Sequence, residues 1–142
     1  MWGLADYGSV STAGAKVFEI CYTFYMENYH GILVNVSQKG NYIFNKIKII
    51  GQKKAWGWIL YKIEINTKEI NRKINELQEN MNDGFYFHLY KDDELIVIFK
   101  HKVFNVKTNK STWKEVIDYG KSINIPKAQL DFYPCKIEDE KY

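Results

Sequence analysis

The spacing of apolar residues between positions 56 and 104 constrains the fold more than any other feature of the chain. Apolar side chains alternate with polar ones in 58–66 and again in 85–90, which is the period of two that a half-buried β-strand requires. Residues 95–99 form a continuous apolar run after an acidic turn at 91–94. The intervening residues have a helical period. The stretch therefore predicts strand, helix, strand and strand, in that order.

The helix within this stretch is bounded at both ends. Asn66 can cap its first turn and Glu69 can complete a capping box, whereas Gly84 follows a stop signal at Asn82-Asp83. One face carries polar residues and the other should pack against the sheet. The apolar stripe consists of Ile70, Ile74, Leu77 and Met81.

A second helix is predicted after Phe104, with Thr112 as its cap and Glu115 at the capping-box position. Asp131–Pro134 then predicts a short strand, and the proline restricts that strand to an edge of the sheet. The inner face of this helix is formed by Trp113, Val116, Ile117 and Gly120.

Together these elements predict an α+β domain with a βαββαβ core over about residues 56–134. This order is that of the ferredoxin-like fold, an antiparallel sheet with both helices on one face. Residues 29–36 predict an additional strand. Residues 42–50 are compatible with a short helix or a strand, and we favour a hairpin onto 58–66.

Residues 1–25 differ in composition from the rest, because they are rich in Gly, Ala, Ser and Thr and hold one lysine, Lys16. We expect Met26 to open a single domain over 26–142, with 1–25 as an N-terminal appendage. The alternative is an amphipathic helix, since a helical stripe can be drawn through Ala13, Val17, Ile20, Cys21 and Phe24.

Charge and cysteine content exclude several classes of protein. The net charge is +3 with 46% hydrophobic residues, which fits a globular domain and does not by itself indicate a nucleic-acid partner. Cys21 and Cys135 form no CxxC pair, so neither a zinc site nor a disulfide framework is indicated. No cofactor, metal or membrane contact is expected, and a cytoplasmic location is the expectation for reduced thiols.

Residues 83–90, DGFYFHLY, resemble the third-strand signature of the RNA-recognition module. Gly84, Phe85, Phe87 and Tyr90 match that signature in place. Asp83 stands where the module has a basic residue that contacts phosphate. The alternation also places the more apolar side chains on the face that helices should cover, so the resemblance implies RNA stacking only weakly.

The other face of the same strand carries Tyr86, His88 and Tyr90. With both helices on one side of the sheet, we expect this aromatic face to be exposed. It then serves as an interface between two copies of the chain or as the floor of a ligand site. The alternative is that N-terminal residues cover it.

A second candidate is a basic and aromatic hairpin, because lysines alternate with aromatic residues between 39 and 58 and no acidic residue lies among them. Such a pattern is typical of single-stranded nucleic-acid binding, and its alternative is a solvated hairpin. The binding residues predicted here are Lys46, Lys48, Lys53, Lys54 and Trp56.

No motif for catalysis or phosphate binding is present, and the histidines are dispersed, so we do not expect an enzyme. The first hypothesis is a small non-catalytic binding or assembly module that forms a homodimer through the aromatic face. The second is an RNA or single-stranded nucleic-acid binding domain. The third is an acid/base enzyme or ligand pocket around His88, because histidine titrates near neutral pH.

Overall fold

The structure, a computed structural model, describes residues 28–140. Within these residues lie one antiparallel sheet of six strands in the order β2-β3-β1-β4-β5-β6 and two α-helices. The predicted appendage at 1–25 and the start of the domain at Met26 lie outside the described residues. The strands are β1 Asn28–Val34, β2 Lys48–Ala55, β3 Trp58–Asn66, β4 Tyr86–Lys91, β5 Glu94–Phe99 and β6 Val103–Lys107, and the helices are α1 Ile70–Glu79 and α2 Lys114–Ser122.

Helix α1 forms where the apolar stripe predicted it, and it covers one face of the sheet. Asn66 accepts a hydrogen bond from the Lys68 backbone N–H at 2.8 Å, so the predicted cap is present, on a short 3-10 turn that leads into the helix. We call the covered surface the α1 face. Its core includes Leu33, Ile63, Phe87, Leu89, Ile96, Ile98, Ile74, Leu77 and Met81.

Helix α2 covers the opposite face, so the prediction that both helices lie on one face is wrong. Phe87 packs with α1, whereas the adjacent Tyr86 and His88 point to the other side, as alternation along a strand requires. We call this surface the α2 face. Its core contains Tyr90, Leu95, Val97, Phe99, Trp113, Val116, Ile125, Leu130, Phe132 and Cys135.

The last predicted strand, Asp131–Pro134, is absent from the sheet. Val103–Lys107 pairs with β5 as β6 and forms one edge of the sheet. The segment after α2 instead runs over the α2 face, where Phe132 is fully buried. The fold is therefore α+β with a six-stranded antiparallel sheet, and it lacks the predicted sixth element of the βαββαβ order.

The capping residue of α2 also differs from the prediction. Thr112 does not cap the helix, because its hydroxyl group donates to the backbone carbonyl groups of Asn109 and Lys107. Asn109 caps the preceding 3-10 turn by accepting from the Ser111 N–H at 3.1 Å. The predicted inner stripe of the helix is confirmed, since Trp113, Val116 and Gly120 are buried.

A hairpin onto β3 is present, but its first strand lies later in the chain than predicted: Tyr42–Asn45 is a 3-10 helix, and β2 pairs antiparallel with β3 from Lys48↔Glu64 to Ala55↔Trp58. A bulge interrupts the ladder between Ile49 and Gly51. Among residues 28–140, no helix is long and apolar enough to span a membrane.

Candidate functional site

The aromatic row of β4 lies inside the protein, so the prediction that Tyr86, His88 and Tyr90 form an exposed face is wrong. Tyr90 is 0% exposed and His88 is 4% exposed. Tyr86 is half-buried, and its hydroxyl group donates to the backbone carbonyl of Gln129. Alternation assigned these side chains to the correct face, but α2 and the segment that follows it cover that face.

His88 is held as a neutral, buried side chain. Its Nε2 atom lies 2.9 Å from the Pro134 carbonyl oxygen, which can only accept, so this nitrogen carries the proton and donates. Burial lowers the pKa of His88 to about 4, against the smaller opposing effects of that hydrogen bond and of Asp131. Because this imidazole is sealed from solvent, the described geometry gives no support to the hypothesis of an acid/base site around His88.

Two further reactive groups on this face are also unsuited to catalysis. Burial, reinforced by the Asp131 carboxylate, raises the pKa of Tyr86 well above its usual range. Burial likewise raises the pKa of the Cys135 thiol, which keeps it protonated and therefore weakly nucleophilic.

A buried network of charged groups around His30 was missed by the sequence analysis. The Nδ1 atom of His30 lies 2.7 Å from Glu140 Oε2, and its Nε2 atom lies 3.0 Å from Glu64 Oε2. Lys48 pairs with Glu64 at 2.9 Å, and Lys62 pairs with Glu140 at 3.2 Å. Glu140 therefore joins the C-terminal segment to the sheet.

The two carboxylates of this network are stabilised in their charged form. Burial raises the pKa of Glu64, but hydrogen bonds from Lys48 and His30 outweigh it and leave the pKa below its ordinary value. The pKa of Glu140 is lowered in the same way, mainly by hydrogen bonds from Tyr90 and His30 that outweigh burial. Because both ring nitrogens of His30 face carboxylate oxygens, neither is available to a substrate.

Metal ligation and small-ligand binding have little support. No group of His, Cys, Asp and Glu side chains within residues 28–140 is arranged to hold a metal ion. A cleft of about 320 Å³ is lined by Lys46, Lys48 and Lys73 together with Glu64 and Glu69. Its mixed charge favours no class of ligand. A cleft of about 650 Å³ beside β6 is also mixed in charge, with Lys107, Lys114, Glu94 and Glu115 among its lining residues.

The structure divides the predicted basic and aromatic hairpin into two parts. Lys46 and Lys48 lie at the start of β2, where Lys48 is paired with Glu64. Lys53, Lys54 and Trp56 lie at its other end, separated from Lys48 by roughly 20 Å of extended strand. The five residues therefore do not form one site.

Trp56 occupies the tip of the β2–β3 turn in an unusual conformation. Its φ is 54° and that of Gly57 is 79°, so both central residues of this two-residue turn are left-handed, as in a type I′ hairpin. A left-handed residue with a large side chain costs about 1 kcal/mol, and this position normally holds Asn, Asp or Gly. Trp56 is also 84% exposed. Neither property helps the protein to fold.

Lysines from separate parts of the chain meet at the end of the sheet where Trp56 lies. The antiparallel order brings the exit of β1, the β2–β3 turn, the entry to β4 and the β5–β6 turn to this end. We call it the basic end and define it as residues 35–41, 53–57, 80–85 and 99–103. Within these residues the lysines are Lys39, Lys53, Lys54, Lys100 and Lys102, and the carboxylate is Asp83.

The opposite end of the sheet has a different charge balance. Its connections, 42–47, 66–70, 91–94 and 107–113, also contain five lysines, but these are accompanied by the four carboxylates Glu69, Asp92, Asp93 and Glu94. At the basic end, Asp83 pairs with Lys100 at 3.7 Å and is the one carboxylate among the residues that define this end. Among the residues of these connections, the basic end therefore has the larger excess of lysines over carboxylates.

The lysines of the basic end are spread along a line rather than gathered around one point. The β2–β3 and β5–β6 turns are separated by four interstrand spacings, which corresponds to about 19 Å. Lys39 and the entry to β4 lie between them, because Lys39 donates its N–H to the Asn80 carbonyl at 2.7 Å.

Comparison with protein families, curated proteins and solved structures found no match to this chain.

Proposed function

We propose that this domain is a non-catalytic module that binds nucleic acid through the basic end of its sheet. The observation that carries the proposal is the convergence of Lys39, Lys53, Lys54, Lys100 and Lys102 at one end, with Asp83 as the carboxylate among them. Lysine contacts to phosphates supply most of the affinity in nonspecific nucleic-acid binding. A linear array of about 19 Å suits a polymer of phosphates better than a single small anion.

The remaining hypotheses have less support in the described residues. His88 and Cys135 are buried, and both ring nitrogens of His30 contact carboxylates, so these groups offer no accessible acid, base or nucleophile. The aromatic face proposed for homodimer formation is covered by the chain itself. The surface on which the prediction of a homodimer rested is therefore not exposed.

We expect the doubly substituted protein Lys53→Gln/Lys54→Gln to bind a fluorescent twelve-nucleotide oligonucleotide about tenfold more weakly at low salt than the unsubstituted protein. Each phosphate contact on a single strand contributes about −0.7 to the slope of log K against log salt. Loss of two contacts should therefore make the slope less negative by about 1.4. Anisotropy titrations over a series of salt concentrations measure both quantities.

The matched control is Lys68→Gln/Lys107→Gln, which removes the same two charges from the opposite end. Lys68 and Lys107 are exposed, so the two doubly substituted proteins have equal net charge and undisturbed cores. The control should keep the affinity and the salt slope of the unsubstituted protein. Equal weakening in both proteins would show that net charge, and not the basic end, governs binding.

A further inference from the structure

We propose that Trp56 stacks on an unpaired base and makes the basic end selective for single-stranded over duplex nucleic acid. This inference rests on the proposed function and adds the class of ligand to it. Trp56 is 84% exposed at the tip of a turn, so its indole can place a full face against a planar partner. Stacking of bases on aromatic side chains is how single strands are held without sequence preference.

The surroundings of Trp56 fit this ligand. Lys53 and Lys54 precede it on the same strand, and because successive residues point to opposite faces, the two ammonium groups leave the strand on opposite sides of the sheet. A base on the indole would thus have a cation on either side for the phosphates that flank it. In a duplex the bases are already stacked on one another, so the indole has no face to contact without unstacking a step.

The conformation of Trp56 provides a separate argument. At φ 54° an asparagine would form the same turn with less strain and without an exposed apolar surface. Trp58, two residues later, is by contrast half-buried, and its ring lies 6.0 Å from that of Phe85 in an edge-to-face arrangement. Trp58 thus has a packing role within the fold, and the outward placement of Trp56 is explained by contact with a ligand.

The test compares Trp56→Asn and Trp56→Tyr with the unsubstituted protein, using a twelve-nucleotide single strand and a duplex of the same length. We expect Trp56→Asn to bind the single strand about tenfold more weakly, as removal of a stacked aromatic side chain does, and to bind the duplex with unchanged affinity. Trp56→Tyr keeps an aromatic face and should stay within about threefold of the unsubstituted protein. Thermal unfolding should show that Trp56→Asn is at least as stable, because asparagine favours the turn.

The outcomes separate this inference from the proposed function. Unchanged binding of the single strand by Trp56→Asn would overturn the stacking role while leaving nucleic-acid binding at the basic end intact. Absence of salt-dependent binding of either nucleic acid by the unsubstituted protein would overturn both. A third measurement tests binding to vesicles that contain anionic phospholipid. Binding to vesicles that depends on Trp56, without binding to the single strand, would assign the turn to a membrane surface and contradict the inference.

Discussion

Replacing Gly31 with alanine is expected to lower the free energy of unfolding by about 3 kcal/mol, because a Cβ atom at this position has no space. Gly31 lies in β1 between β3 and β4, opposite Leu89. An added Cβ atom would lie 2.4 Å from the His88 carbonyl oxygen and 2.5 Å from Leu89 Cδ2. The carbonyl belongs to the backbone of a central strand, so relief requires β1 and β4 to move apart.

Urea unfolding of Gly31→Ala, followed by far-ultraviolet circular dichroism, measures this loss as a lower midpoint at unchanged slope. The control is Gly120→Ala in α2. Its new Cβ atom would lie 2.6 Å from Leu130 Cδ2, the far end of a side chain that can rotate away. Alanine also stabilises a helix by about 1 kcal/mol relative to glycine, so we expect a small net change in the free energy of unfolding. Equal losses in the two proteins would contradict the close approach of β1 and β4.

Between pH 7.5 and pH 5, the titration of His88 is expected to remove about 2 kcal/mol from the free energy of unfolding. The folded protein holds the pKa of His88 at about 4, and the ordinary value of 6.5 applies to the unfolded chain. Below pH 6.5 the unfolded chain therefore binds a proton that the folded protein does not bind. Stability falls with decreasing pH through this range and levels off once the pH is below about 4.

Comparison with His88→Phe isolates this effect, since phenylalanine keeps a ring against Tyr90 and Phe132 but does not titrate. The free energy of unfolding of the unsubstituted protein minus that of His88→Phe should fall by about 2 kcal/mol as the pH falls from 7.5 to 5. Glu64 and Glu140 have lowered pKa values, so their contribution is lost at lower pH, below about 4.5. A constant difference would show that His88 is accessible to solvent protons in the folded protein.

Elements specified by local patterns could be predicted from the sequence. The stripe of α1 and the alternation in β3 and β4 each lie within one contiguous segment and need no knowledge of tertiary contacts. The placement of α2 could not be predicted in this way. Its stripe is equally compatible with either face of the sheet, and the face that it covers depends on the tertiary path of the chain after β6.

The candidate site could not be predicted without the strand order of the sheet, which local sequence patterns do not specify. The predicted set joined Lys46 and Lys48 to Lys53 because they are close in the chain, whereas the sheet separates them and brings Lys53 to the same end as Lys100. The His30 network was missed for the same reason, since its carboxylate partners lie 34 and 110 residues from the histidine in the chain. Contacts at such separations depend on register and long-range packing, which local periodicity does not contain.

The most direct measurement of the central claim is a titration of isotopically labelled protein with a twelve-nucleotide single strand, followed by amide chemical shifts. We expect the largest shifts in the basic end, above all in 53–57 and 99–103, and changes in the indole N–H signal that Trp56→Asn removes. The connections at 91–94 and 107–113 should be unaffected. Shifts concentrated at those connections, or no shifts at low salt, would contradict nucleic-acid binding at the basic end.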